Sequence, residues 1–171
     1  MLRALGVEDA DAMHAYARDP AVTEFVTWEP HTSVEQTVLY LMTVEAAYRD
    51  AGLLEWGVAL AGGGELIGTC GFARIDPEHA RGEIGYAFGP AHAGAGYATE
   101  AAAAVLRYGF ETLGLHRIEA QCVVGNAASA RVLEKIGMTC EGVLAGRVRI
   151  RGRFRDVRMY ARLARAGEGD G

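Results

Sequence analysis

No stretch of this 171-residue chain approaches the run of about eighteen uncharged apolar residues that a membrane-spanning helix needs. The opening Met-Leu-Arg-Ala-Leu-Gly turns acidic at Glu8, Asp9 and Asp11, with no apolar signal core behind it. Cysteine is scarce. Cys70, Cys122 and Cys140 form an odd set without zinc or redox spacing and read as reduced thiols of a cytoplasmic protein. Lysine is nearly missing, Lys135 being the only one, so no Gly-Lys-Ser/Thr phosphate loop exists. The histidines at 14, 31, 79, 92 and 116 show no ligand spacing, and no metal site is expected. There are no repeats and no linker.

What remains is an ordinary globular composition, 50% hydrophobic and 23% charged, in a length that suits one domain and excludes a disordered chain. Charge is unevenly placed. Residues 1–146 hold 9 basic and 19 acidic side chains, net −10, and residues 147–171 hold 8 and 3, net +5, giving the −5 of the whole. An acidic body argues against general nucleic-acid binding.

Leu2 to Leu5 alternates as a short strand, and Val7 to Arg18 suits a helix that stops at Asp19-Pro20. Phe25, Val26, Trp28, Pro30 and His31 form an aromatic loop. Ser33 with Gln36 is a capping-box pattern opening a helix to about Asp50, whose buried face is expected to comprise Val38, Leu41, Met42, Val44 and Ala47. The period then becomes two. Trp56–Ala61, Glu65–Ile75 and Arg81–Phe88 read as strands of an antiparallel meander. A helix from Tyr97 to Leu113, a strand from His116 to Val124 and a short helix from Asn126 to Ile136 follow. A strand–helix–strand unit of this kind is normally parallel and right-handed. Met138–Arg151 and Arg153–Leu163 suggest a closing hairpin, and 164–171 a frayed tail. The fold class is α+β with a mixed sheet, in one domain over 1–163.

Between the third strand and the long helix lies Gly94-Ala95-Gly96-Tyr97-Ala98-Thr99-Glu100. Glycines there let backbone amides approach a phosphate closely, at a helix start whose unpaired N–H groups favour anions. A dinucleotide motif would need a third glycine where Thr99 stands. A tight turn that simply requires glycine is the other reading, and the spacing alone leaves both open.

Gly82-Glu83-Ile84-Gly85-Tyr86 followed by this turn resembles the GNAT superfamily of N-acetyltransferases, in particular the branch that acetylates the N-terminal amines of ribosomal proteins. The similarity continues through Leu115 to Ala120, Asn126 with Ser129, Arg131 to Met138, Glu141 to Leu144 and Arg151 to Val157. The resemblance implies a seven-stranded mixed sheet, mostly antiparallel, whose fourth and fifth strands splay around acetyl-coenzyme A. It implies backbone groups of Ala87, Phe88 and Gly89 for the pantetheine arm, and a pyrophosphate cradle of Ala93, Gly94, Ala95, Gly96, Tyr97 and Ala98. By the same likeness Asn126 bonds the cofactor arm, Trp28 and His31 form one wall of the acceptor site, and a homodimer is expected. The chain departs from the family at Ala91, where glutamine or arginine is usual, and at Ala93, where the branch has tryptophan. Neither change removes a backbone amide.

Acetyl transfer to an amine needs a base, a donor for the thioester oxygen and a partner for the departing thiolate. Glu83 shares its strand face with Gly85 and Ala87, small residues that leave space around it, and burial would lift its pKa toward that of a useful base. The resemblance makes Glu83 that base. The other reading is a surface glutamate paired with an arginine of a neighbouring strand. The tyrosine that much of the family uses as acid is replaced by Leu133. Ser129 is the thiolate partner by resemblance, although Asn126 and Ser129 are also good helix-start residues, and Tyr97 is a second candidate donor. Alternating arginines at 147, 149 and 151 and at 153 and 155 form either a solvated face or a basic lip for an acidic acceptor or the cofactor's outer phosphate. The reading is an acetyl-coenzyme A-dependent N-acetyltransferase acting directly on an amine, with a protein N-terminal α-amine as leading acceptor. A small-molecule amine (amino acid, polyamine or antibiotic) and a non-catalytic acetyl-coenzyme A sensor are the alternatives.

Overall fold

Seven strands lie in the order β1-β2-β3-β4-β5-β7-β6 in the computed structural model, which describes residues 1–50, 54–62 and 64–164. They are β1 (Leu2–Arg3), β2 (Leu54–Ala59), β3 (Leu66–Asp76), β4 (Arg81–Phe88), β5 (Arg117–Val123), β6 (Thr139–Ile150) and β7 (Arg153–Leu163). Helices α1 (Ala10–Ala17), α2 (Pro20–Thr23), α3 (Val34–Asp50), α4 (Tyr97–Glu111) and α5 (Ala127–Lys135) connect them. Every neighbouring pair is antiparallel except β4 and β5, which the α4 crossover makes parallel. The expected tail lies, apart from Ala164, outside the described residues.

Two cores sandwich the sheet. On one face α4 and α5 bury Val105, Leu106, Phe110 and Leu133 against Phe72, Ile84, Ile118, Ala120 and Cys122. On the other, α1 and α3 pack Met13, Tyr16, Leu41 and Val44 with Leu66. Cys70 and Cys122 behave as small apolar core residues, each at most 2% exposed, whereas Cys140 is on the surface.

Two local expectations are corrected, and a third is extended. α1 ends at Ala17, before Asp19-Pro20 as expected, but helical structure resumes at once. Proline is well placed at a first helical position, and the Asp19 carboxylate accepts from the Ala21 amide at 2.8 Å, so α2 begins there. Met42 is not on the buried face of α3 but 53% exposed, because only the stripe through Leu41 and Val44 meets α1 and the sheet. The Ser33 hydroxyl caps α3 through the Gln36 amide, but the Gln36 side chain turns back to Thr32 rather than to Ser33, so the box is not reciprocal.

The feature that makes room for a site is a failure of pairing. β4 and β5 are in register only at Arg81–Arg117, Gly82–Ile118 and Glu83–Glu119. From Ile84 onward the two strands part.

Candidate active site

Two cavities meet at that gap. One, of about 510 Å³, opens on the α1/α3 face and is floored by Gly71, Ala73, Gly85 and Ala87, with Glu55, Glu83 and Gln121 around it. Its outer wall is Phe25 to Trp28 and Tyr40, and Val148 and Val157 close the hairpin side. The second, about 460 Å³, runs between the glycine-rich turn and α5. Phe25, Val26, Tyr86, Ala87, Asn126 and Ser129 line both, which locates the passage between them.

Strand alternation fixes which group enters which cavity. Glu83 projects with Gly85 and Ala87 into the first, while Ile84, Tyr86 and Phe88 point to the α4/α5 face. Glu83 is half-buried, and its partner is neutral: Gln121 Nε2 donates to Glu83 Oε1 at 2.8 Å. Among the described residues the arginine pairing considered from sequence does not occur. Arg117 instead pairs with Glu119 and Glu141. A Cβ built on Gly85 meets no atom within 4 Å, so this glycine keeps open space beside Glu83. Tyr40 donates to Glu55 at 2.7 Å, and burial together with that carboxylate pushes the Tyr40 phenol pKa well up.

Trp28 lines the first cavity; His31 does not. His31 stands behind that wall, between the rings of Trp28 and Tyr40, with Nδ1 2.8 Å from the Thr37 hydroxyl. Burial, helped by His14, lowers its pKa and favours the neutral ring.

In the second cavity the turn presents unpaired donors. Gly94 and Gly96 take φ of 79° and 91°, a left-handed geometry that side chains resist, and a Cβ at either would point into open space. Glu100 makes the first helical bond of α4, to Gly96, so the amides from Gly94 to Thr99 have no partner among the described residues. Such a row of amides at a helix start fits a pyrophosphate. The Ala93 amide is taken by Pro90, and Ala95 is not a lining residue. Tyr97 lines this cavity and packs edge-on against His92.

Of the three residues expected to offer backbone groups to the arm, Phe88 faces the gap. The Gly89 amide goes to Ile67 on β3 at 3.0 Å and its carbonyl to His92. Backbone groups alternate sides along an antiparallel strand, so Ala87 also turns toward β3 and Tyr86, like Phe88, toward β5. Asn126 caps α5, its Oδ1 accepting from the Ser129 amide at 3.0 Å, which leaves its side-chain N–H₂ for a ligand.

Sequence reasoning passed over several lining residues. Arg131 and Lys135 bring two positive charges to the second cavity. Their spacing of four on α5, with Ala128 one turn earlier, was the available signal. Tyr86 occupies the passage itself, its hydroxyl 2.9 Å from Ser129 Oγ and 3.2 Å from the Ser129 carbonyl. On the outer rim the Arg151 guanidinium reaches Glu29 at 3.7 Å, while Arg149 lies over the Phe154 ring.

Residues 1–139 match the acetyltransferase (GNAT) domain family. The chain is 36% identical over 164 residues to the uncharacterized N-acetyltransferase p20 of Bacillus licheniformis, covering 96% of this chain and 92% of that one. A solved GNAT-family acetyltransferase from Bacillus anthracis superposes with a TM-score of 0.84 at 34% identity, over 95% and 93% of the two chains. Relatives named for different acceptors occur side by side. The ribosomal-protein-serine acetyltransferase of Escherichia coli is 33% identical over 99 residues, 58% of this chain and 55% of that one. The spermidine N-acetyltransferase of Vibrio cholerae, solved with coenzyme A and spermine, has a TM-score of 0.82 at 27% identity over 95% and 94%. With a splayed β4/β5 gap and an amide cradle beside it, the chain belongs to the GNAT superfamily as an acetyl-coenzyme A-dependent N-acetyltransferase.

Proposed function

We propose that the acceptor is a protein N-terminal α-amine, acetylated directly with both partners bound, with Glu83 as base and Ser129 as partner of the departing sulfur. The observation that carries this reading is the charge of the first cavity. Its described lining includes the carboxylates of Glu55 and Glu83 and no lysine, arginine or histidine. A free amino acid would bring its own carboxylate beside these two with no cation to receive it, and like charges so placed cost several kcal/mol. At a protein N-terminus that carboxyl is a neutral peptide group, so only the amine meets Glu83.

The bound cofactor supplies an activated acetyl group. The amides from Gly94 to Thr99, with Arg131 and Lys135 nearby, would hold its phosphates, and the Phe88 backbone and Asn126 side chain its arm. Gln121 anchors one oxygen of Glu83 and so orients the carboxylate toward the amine. Removing a proton from the amine is what general-base catalysis requires here, directly or through one water.

A small di- or polyamine is the second reading, favoured by Glu55, which gives the cavity a second carboxylate for a second ammonium group. Thiol release from acetyl-coenzyme A with short peptides, polyamines and free amino acids separates them. Turnover on peptides with blocked side-chain amines supports the α-amine. Turnover confined to polyamines replaces it, and efficient use of free amino acids contradicts the charge argument. Calorimetric binding of acetyl-coenzyme A without turnover on any amine would leave the sensor reading.

A further inference from the structure

Ser129 sits in the passage between the two cavities with three of its groups already engaged. Its amide donates to Asn126 Oδ1 at 3.0 Å, and its Oγ and carbonyl oxygen are 2.9 and 3.2 Å from the hydroxyl of Tyr86. Tyr86 is on β4, 43 positions away, on the strand face opposite Glu83. It also lines both cavities.

A serine hydroxyl alone at a helix start rotates among three staggered wells and readily turns to a nearby backbone carbonyl. In either state its proton is poorly aimed. A phenol has one proton, and the Ser129 Oγ is the closer of its two acceptors. Once the phenol donates there, one lone pair of Oγ is occupied and the serine proton points away from Tyr86, with the Cys122 thiol as the other side chain beside it.

We infer that Tyr86 is a positioning residue for Ser129: its phenol O–H donates to Ser129 Oγ and holds the serine proton in the passage, directed at the sulfur end of the cofactor arm. This rests on the role proposed above for Ser129. The serine keeps its proton throughout, so the stabilisation is a hydrogen bond to sulfur and no acid step is involved. The residues around the phenol suit a permanent donor. Cys70 of β3, Cys122 of β5 and Tyr160 of β7 are its other titratable neighbours, and none is a carboxylate or a cation. Burial pushes the Tyr86 pKa up, partly offset by the Ser129 bond, so it stays protonated across the working range.

The test is the ionisation of coenzyme A bound to the full chain, read from thiolate absorbance as pH is raised. In the wild type the bound thiol should titrate below free coenzyme A. Tyr86→Phe keeps the ring and removes only the hydroxyl; it should raise the midpoint by about half to one pH unit. Ser129→Ala should raise it at least as far, and the double variant no further than Ser129→Ala. In thiol release Tyr86→Phe should lower kcat about tenfold with the KM for acetyl-coenzyme A changed less than about twofold, and that loss should vanish in the Ser129→Ala background. A merely structural tyrosine would move neither midpoint nor coupling. An unchanged midpoint in Tyr86→Phe, where Ser129→Ala does move it, overturns this inference alone. A wild-type midpoint equal to that of free coenzyme A, unaffected by Ser129→Ala, overturns the role of Ser129 and this inference with it.

Discussion

Replacing Glu83 with glutamine is the most direct test of the chemistry, because the structure says what the change leaves intact. Glutamine has nearly the same shape, and its amide oxygen can still accept from Gln121 Nε2, so the 2.8 Å contact between β4 and β5 survives. Glu83 does not line the cavity of the cradle and lies on the opposite face of β4 from the Tyr86–Ser129 pair, so cofactor affinity should be unchanged. What is lost, on the proposed reading, is the proton acceptor. A positioned general base contributes about 10²- to 10⁴-fold, and one acting through water belongs near the lower end, so kcat should fall by about 10²–10³, or about 3–4 kcal/mol. The pH dependence separates a base from a bystander. An α-amine has a pKa of about 7.8, so at pH 7 roughly one molecule in seven is neutral and at pH 9 nearly all are. Without the base, the variant depends on that neutral fraction and should gain about sevenfold over this interval. The wild type should gain less, so the gap narrows. Steady-state thiol release at both pH values, with calorimetry to show intact acetyl-coenzyme A binding, makes the measurement. Equal turnover at pH 7, or a loss that stays constant to pH 9, removes Glu83 from the proton transfer.

Other parts of the site and fold answer to separate perturbations. Gly96→Val places a branched side chain at φ 91° and a Cβ in the cradle; acetyl-coenzyme A should bind at least about tenfold more weakly by calorimetry, with Tm lowered by a few degrees. Gly85→Leu fills open space beside Glu83 and should raise the acceptor KM while leaving acetyl-coenzyme A binding unchanged; a parallel loss of cofactor affinity would contradict the division into two cavities. Asp9, buried at the start of α1, accepts from Arg3 and from the Gly6 amide, and these bonds outweigh its burial to hold its pKa below the ordinary carboxylate value. A lowered folded pKa gives stability that is complete above the unfolded value of about 3.9 and is lost as pH falls through the folded one. Asp9→Asn should therefore cost about 2 kcal/mol in urea unfolding at pH 7, and progressively less as pH falls below about 3.9.

Much of this was legible in the residues, and what was not has identifiable causes. A strict period of two over Arg81–Phe88 placed Glu83 with Gly85 and Ala87, and the structure keeps that face. The glycine-rich turn was readable as a turn before a helix, while its spacing left a phosphate cradle and a plain tight turn both open. Local alternation says nothing of partners, however. Whether Glu83 meets an arginine or Gln121 depends on β5, which contributes three registered pairs before diverging. The bond between Tyr86 and Ser129 joins residues that only the closed sheet brings together, and periodicity says no more than that Tyr86 lies with Ile84 and Phe88 on the face opposite Glu83. Met42 misled for the opposite reason: α3 carries apolar residues on more than one stripe, and only tertiary packing decides which is covered.

The roles proposed for Glu83 and Ser129, which lie on opposite sides of β4, would also account for where the sheet opens. A base for the amine and a donor for the sulfur have to reach atoms of one reacting assembly, yet a continuous ladder would put a wall of paired backbone between them. Pairing of β4 with β5 stops at Glu83–Glu119, the last position before the two groups need a common space. Beyond it, Tyr86 and Phe88 keep the backbone edge that would have joined β5, and Asn126 and Ser129 at the start of α5 take the opposite side of the gap. The unpaired edge is thus exposed only toward the cavity a ligand fills, while β3 secures the other edge through pairs such as Thr69–Ala87 and the Gly89–Ile67 bond. Under the proposed roles one strand would present a carboxylate to the acceptor, a phenol to Ser129 and free backbone groups to the cofactor arm, each in a direction set by alternation alone.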